Sequence, residues 1–280
     1  MPEAGRREGA PAAAAGADVA RILVTCDASP LGVAALDAAV ALACRLDAEL
    51  AGLFVEDSNL LRMAALPFAR EYALASAAAR RVESGEIERT LQRQADAARS
   101  ALSRAAHAVS VPWSFQVVRG ALLDSVLEAM REPDLAVFGC TGQFVVTPDA
   151  RETAPAPRSH AASLRRPILT IYDDSSAAQR ALAAARMLAE VHHTSVVLLV
   201  IASDEAMMSR LRACAAGQLA GSHVAVRFQN LPSNDTQSIK KAAHSNHAAA
   251  LLWHGAQTPD ERQTLATLVD ALKCPVVLVL

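Results

Sequence analysis

The strongest constraint on this chain of 280 residues is an internal repeat. Ile22-Leu-Val-Thr-Cys-Asp27-Ala-Ser29 returns as Ile168-Leu-Thr-Ile-Tyr-Asp173-Asp-Ser175, an offset of 146 residues. At the same offset Leu36 maps to Leu182, Leu42 to Leu188 and Leu53 to Leu199, without a gap. A second echo links endings: Leu164-Arg-Arg-Pro167 and the apolar run after it resemble Leu272-Lys-Cys-Pro275 and its run. The stretch Pro167 to Ser176 therefore looks like the close of one repeat and the opening of another. A repeat on this scale predicts a duplicated pair of α/β domains, not a solenoid.

Each copy opens in the same way. Arg21 to Cys26 is a continuous apolar run ending at Asp27, the pattern of a strand covered on both faces. Ser29-Pro30 reads as a helix N-cap followed by proline at the first helical position, and an Ala-rich helix follows to Leu46. Glu49 to Val55 is the next strand, so strand, helix and strand form a βαβ unit, which requires a parallel sheet. Further strands are expected at Trp113–Val118 and Leu135–Gly139, with helices from Ile87 to Ala105 and from Leu122 to Arg131. Ser58 to Val82 is helix-friendly but weakly patterned and broken by Pro67, and Ser159 to Arg165 suggests a helical turn. In the second copy strands are expected at His223–Phe228, Ala248–His254 and Pro275–Leu280, with helices at Thr236–Ser245 and Asp260–Leu272. Aligning Trp113 with His223 makes that copy 36 residues shorter in the insertion.

Composition excludes several classes. The net charge is −2, too little positive charge for a nucleic-acid footprint. Five scattered cysteines without a CxxC pair argue against a disulfide framework and for reduced thiols in a cytoplasmic setting. Residues 1–20 are Ala-, Gly- and Pro-rich, lack the apolar core of a signal peptide, and read as a disordered tail. Asp37 and Arg45 interrupt the best apolar stretch, so no membrane span is expected.

Asp27-Ala-Ser29 after the first strand, Val118-Arg-Gly120 after the third and Gly139-Cys-Thr-Gly142 after the fourth form an ordered set. Together with the duplication, that set resembles the universal stress protein family in tandem form, over about residues 21 to 280. The resemblance implies two open parallel sheets of order 3-2-1-4-5, flavodoxin-like or adenine-nucleotide-hydrolase-like, with ligands bound where strands 1 and 4 part. The domains would be 21–165, with a helical insertion at 57–110 and a Pro-rich loop at 143–158, and 166–280. Ile168 to Tyr172 runs directly into a helix that aligns gaplessly with the first, so it opens the second domain. The first domain then lacks its own fifth strand. The edge beside Leu135–Gly139 is bare, filled by the neighbouring domain, or filled by another subunit.

Many members of that family bind ATP through Gly-x2-Gly-x9-Gly-[Ser/Thr], where glycine lets backbone N–H groups approach phosphates. The resemblance places an adenine-nucleotide site at Asp27, Ala28, Ser29, Val55, Gly139, Gly142 and Ser159. The third glycine falls at Glu152-Thr153; alternatively the loop is longer and Arg158-Ser159 begins the final helix. A tight turn at Gly139–Gly142 without a ligand is the competing reading, and Asp27 could equally cap the neighbouring helix. In the second copy Asp173 and Ser175 persist, but Gly255-Ala-Gln-Thr258 has lost the second glycine, which makes a phosphate cradle there improbable.

Weaker signals are the histidines His192, His193, His244, His247 and His254, which lack the converging ligands a metal needs, so no metal is expected. Cys26 and Cys140 would lie near the crevice, where a redox-sensing thiol competes with a plain buried residue. No Ser/His/Asp grouping, carboxylate pair or P-loop lysine is present. The expected function is a cytoplasmic, homodimeric, non-catalytic stress-response protein that binds ATP or another adenine nucleotide in its first domain. The alternatives are an interaction protein that has lost nucleotide binding, and a weak ATPase.

Overall fold

A computed structural model describes residues 19, 21–27, 29–58, 62–63, 70–72, 79–81, 84–130, 134–139 and 166–280. In chain order the elements are β1 (Arg21–Thr25), α1 (Pro30–Leu46), β2 (Glu49–Asp57), β3 (Arg70–Tyr72), β4 (Ala79–Arg81) and α2 (Ser84–Val109). Then follow β5 (Trp113–Gly120), α3 (Leu122–Ala129), β6 (Leu135–Phe138), β7 (Ile168–Ile171), α4 (Ser176–Val191), β8 (Val196–Val200) and α5 (Glu205–Gln218). The chain closes with β9 (Val226–Asn230), α6 (Thr236–Ser245), β10 (Ala250–His254), α7 (Pro259–Ala271) and β11 (Val276–Val279).

Nine strands form one sheet in the order β5-β2-β1-β6-β11-β10-β7-β8-β9. Pairing is parallel throughout except between β6 and β11, which are antiparallel. The sheet is thus two parallel blocks pointing in opposite directions and joined by that one pair. Counted within each copy, the second block has the order 3-2-1-4-5 and the first has 3-2-1-4. Of the three possibilities for the edge beside the fourth strand, the neighbouring copy is the one realised: β11 occupies it, with Val276 opposite Phe138 and Val279 opposite Leu135.

Burial explains which runs become which strands. β6, β7, β8 and β11 are buried along their whole length, as strands covered by helices on both faces must be. The edge strands β5 and β9 alternate half-buried and exposed residues instead. One face of the sheet packs α1, α2, α4 and α5 over Ile22, Val24, Val137, Leu198 and Val277. The other packs α3, α6 and α7 over Leu23, Phe138, Leu169, Leu251 and Leu278.

The helix starts follow their sequence signals. Ser29 caps α1, its Oγ accepting from Gly32 N at 2.9 Å, and Ser175 caps α4 in the same way, accepting from Ala178 N at 3.1 Å. Pro30 stands at the first turn of α1, where its missing N–H costs nothing. The duplication therefore extends from residue spacing to hydrogen bonds.

Three expectations change. The third strand of the second copy is Val226–Asn230, not His223–Phe228. Leu50 pairs with Trp113 and its repeat partner Val196 pairs with Val226, so the offset there is 113 and the second copy is 33 residues shorter, not 36. The alternation of Val224, Val226 and Phe228 has period two and does not mark where pairing begins. Within Ser58–Val82, β3 and β4 pair antiparallel with Tyr72 opposite Ala79, in a segment whose sequence carries no stripe of helical period. The second copy also has a helix, α5, at the chain position that α2 fills in the first; its short buried set of Met208, Leu211 and Ala215 gave little periodic signal. The tail at 1–20 (apart from Val19), the loop at 143–158 and the turn at 159–165 lie outside the described residues.

Candidate functional site

In the first block β1 lies between β2 and β6, so the C-terminal ends of β1 and β6 lie side by side, the position at which open α/β sheets bind ligands. Asp27 and Ser29 sit there beyond β1, and Gly139 beyond β6. Thr25 locks the two strand ends together: its Oγ1 accepts from Gly139 N at 3.0 Å. Ser29 Oγ approaches Gly139 O at 3.4 Å. Three predicted residues therefore converge.

Their polar groups are engaged in holding α1. Asp27 Oδ1 accepts from Ser29 N at 3.1 Å and from Ser29 Oγ at 2.7 Å. Burial raises the Asp27 carboxyl above its ordinary value, against the pull of those two hydrogen bonds. The glycines here serve close approach. A Cβ on Gly139 would stand 2.4 Å from Ala35 Cβ and 2.8 Å from Gly32 Cα; one on Gly32 would stand 1.9 Å from Asp27 Oδ1. The first turn of α1 rests directly on the end of β6. Gly32 was not anticipated, although a glycine two residues after Asp-x-Ser-Pro could have suggested such contact.

Val55 lies on β2, half-buried, opposite Val118 and packed toward the α3 side of the sheet. Ala28, Gly142 and Ser159 lie outside the described residues. Cys26 is half-buried, and Cys140 also lies outside the described residues.

The second block repeats the opening of the site and closes its other side. Asp173 Oδ1 accepts from Ser175 N at 3.0 Å, as Asp27 does from Ser29. Beyond β10, the backbone N–H groups of Gln257 and Thr258 both donate to Glu261 Oε2, at 2.9 and 3.1 Å. Thr258 Oγ1 accepts in return from Glu261 N, at 3.2 Å, completing a capping box on α7. A side-chain carboxylate thus holds the N–H groups that a phosphate would need. His254, at the end of β10, sits 3.8 Å from Asp173 Oδ1, and burial lowers its affinity for a proton.

A cavity of about 420 Å³ opens where the blocks meet. Its walls are the first turns of α1, including Ser29 and Leu31, and the end of α4, with His192. Its floor is the N-terminal ends of β7, β10 and β11, with Arg166, Lys273 and Pro275. Among the described residues no group of three or more His, Cys, Asp or Glu is placed to hold a metal ion. His244 and His247, flagged by spacing, are exposed on α6 and beyond its end. No helix among the described residues is long and apolar enough to cross a membrane.

A scan against protein-family models finds no match, and neither does a search of curated proteins. Solved structures do match. A universal stress protein from Archaeoglobus fulgidus aligns over 92% of this chain and 95% of its own, with a TM-score of 0.53 at 12% identity. A protein of the universal stress protein family from Burkholderia pseudomallei aligns over 42% of this chain and 97% of its own, with a TM-score of 0.34 at 22% identity. A universal stress protein in complex with cAMP aligns over 41% and 96%, with a TM-score of 0.37 at 15% identity. The duplicated βαβ openings, the strand order and the near full-length superposition agree: this chain has the universal stress protein fold.

Proposed function

We propose that the chain is a cytoplasmic, non-catalytic binding protein of two units, 21–165 and 166–280, that holds an adenine nucleotide in its first unit only. The observation that carries this is the asymmetry of the two crevices. In the second unit Glu261 occupies the N–H groups of Gln257 and Thr258. In the first, the sequence from Gly139 to Pro148 contains no carboxylate that could do the same. Asp27, Ser29 and Gly139 would border the ligand, with Gly142 and Ser159 beside it. Regulation would follow from nucleotide-dependent contacts with partners, including a second copy of the chain.

A second reading is favoured by a different observation. Asp27 and Gly139 both hold α1 in place, which a nucleotide-independent interaction protein would also require. Protein purified without added ligand separates the two. Release of ATP or ADP on denaturation, with loss in Gly142→Asp, supports the nucleotide reading; ligand-free protein with no melting shift in ATP supports the other. Phosphate release sensitive to Asp27→Ala would instead revive ATPase chemistry.

A further inference from the structure

We infer that the second unit completes the first unit's site: the cavity at the seam takes the phosphate groups of an anionic ligand on Arg166 and Lys273. This deepens the nucleotide reading, and rests on it for the nucleoside part alone.

The placement follows from the antiparallel pair. Because Val276 lies opposite Phe138, the N-terminal end of β11 meets the C-terminal end of β6, beside Gly139. Lys273 comes just before that end of β11. Arg166 is brought alongside by β7 and β10, where Ile168 pairs with Ala250 and Ala249 N donates to Pro167 O at 2.9 Å. Arg166 and Lys273 of the second unit thus line the cavity that also borders the start of α1. Had β11 joined β6 in parallel, this end of the strand would lie beside the N-terminal end of β6, away from Gly139.

The cavity is lined mainly by apolar side chains, with Arg166 and Lys273 as its two cations. Arg166 and Lys273 have no carboxylate within ion-pair distance among the described residues. Facing these groups is the start of α1, a helix of 17 residues whose first turn carries positive partial charge. A volume of about 420 Å³ exceeds what one phosphate fills and falls in the range of small-molecule sites. Asp27 is turned toward Ser29 by its two hydrogen bonds, which limits its repulsion of an incoming anion.

The test titrates the full chain with ATP and, separately, with inorganic tripolyphosphate, by calorimetry and thermal shift at low salt. The variants are Arg166→Gln, Lys273→Gln and the double substitution, all at exposed positions. The expected result is binding of both probes, weakened at least tenfold in the double variant, with a flatter dependence of affinity on salt. If ATP binds and the variants bind it equally well, the seam site is overturned and the nucleotide reading stands. If tripolyphosphate alone binds and the variants lose it, the seam site stands and the nucleotide reading fails. If neither probe binds, both are overturned.

Discussion

Val276 stands opposite Phe138 in the antiparallel pair that makes one sheet of two parallel blocks. Among the described residues no other strand pair crosses between the copies, and each copy's helices pack on both faces of the sheet. The α1–α4 contact adds to the junction, where Arg45 Nη2 meets Glu190 Oε2 at 2.6 Å. That ion pair is half-exposed and contributes little by comparison with the buried strands.

Breaking the pair should therefore destabilise both copies together. Val277 lies opposite Val137, is fully buried, and belongs to a central strand. Val277→Pro removes a ladder donor and introduces a ring clash, a cost of about 3 kcal/mol or more. Urea unfolding followed by circular dichroism should show one transition moved to lower urea. Two separated transitions, one at the wild-type midpoint, would show that the blocks fold independently of the seam.

The close approach of α1 to β6 gives a second test. Gly139→Ala places a methyl 2.4 Å from Ala35 Cβ and 2.8 Å from the Gly32 backbone, which cannot yield without shifting the helix. Overpacking of this kind costs about 1–3 kcal/mol. Gly217→Ala is the control: it lies in α5 with nothing within 4 Å of the added carbon. It should be neutral or stabilise by about 0.5–1 kcal/mol, because alanine lowers the backbone entropy lost on folding. Equal urea midpoints for the two variants would contradict the packing described for Gly139.

Much of this fold was legible in residue order, because its strongest signals are local. The Asp-x-Ser openings, the caps at Ser29 and Ser175 and the helix at Thr236–Ser245 each follow from short-range spacing. The junction was not, because a fully apolar strand such as Val276–Val279 carries no mark of which edge it will join, or in which direction. The site divides in the same way. Asp27, Ser29 and Gly139 could be found from their neighbours, whereas Arg166 and Lys273 come near only through strands distant in sequence. Glu261 was missed because its effect depends on the side chain folding back over its own helix start, although Thr258-x-x-Glu261 is a readable capping signal.

Glu261 supplies the third prediction. Glu261→Ala removes the acceptor for Gln257 N and Thr258 N and half of the capping box. The expected loss is about 1 kcal/mol in a chloride buffer. The vacated N–H groups form an anion site at a helix start, so sulfate or phosphate should restore part of the loss relative to chloride at equal ionic strength. The wild type should gain less from the same exchange. An equal gain in both proteins would mean that Glu261 does not occupy an anion position.

The last prediction concerns pH. His254 is covered at the end of β10, its Nε2 has no hydrogen-bond partner among the described residues, and Asp173 Oδ1 lies 3.8 Å away. Burial lowers its proton affinity below the ordinary value of 6.5, with the charges of Asp173 and Glu261 opposing. His192 shifts in the same direction by burial, opposed by Asp37. In the unfolded chain each imidazole takes up a proton as pH falls through its ordinary value, while in the folded chain it resists. The unfolded state therefore binds more protons in that window, and stability is present above it and lost as pH falls toward the lower folded values. The urea midpoint should be flat above about pH 7.5 and decline from about pH 6.5 downward, before most carboxylates titrate. His254→Gln and His192→Gln should each flatten the decline between about pH 6.5 and pH 5, and the double variant most of all. A wild-type slope that survives in the double variant would assign the pH dependence to other groups.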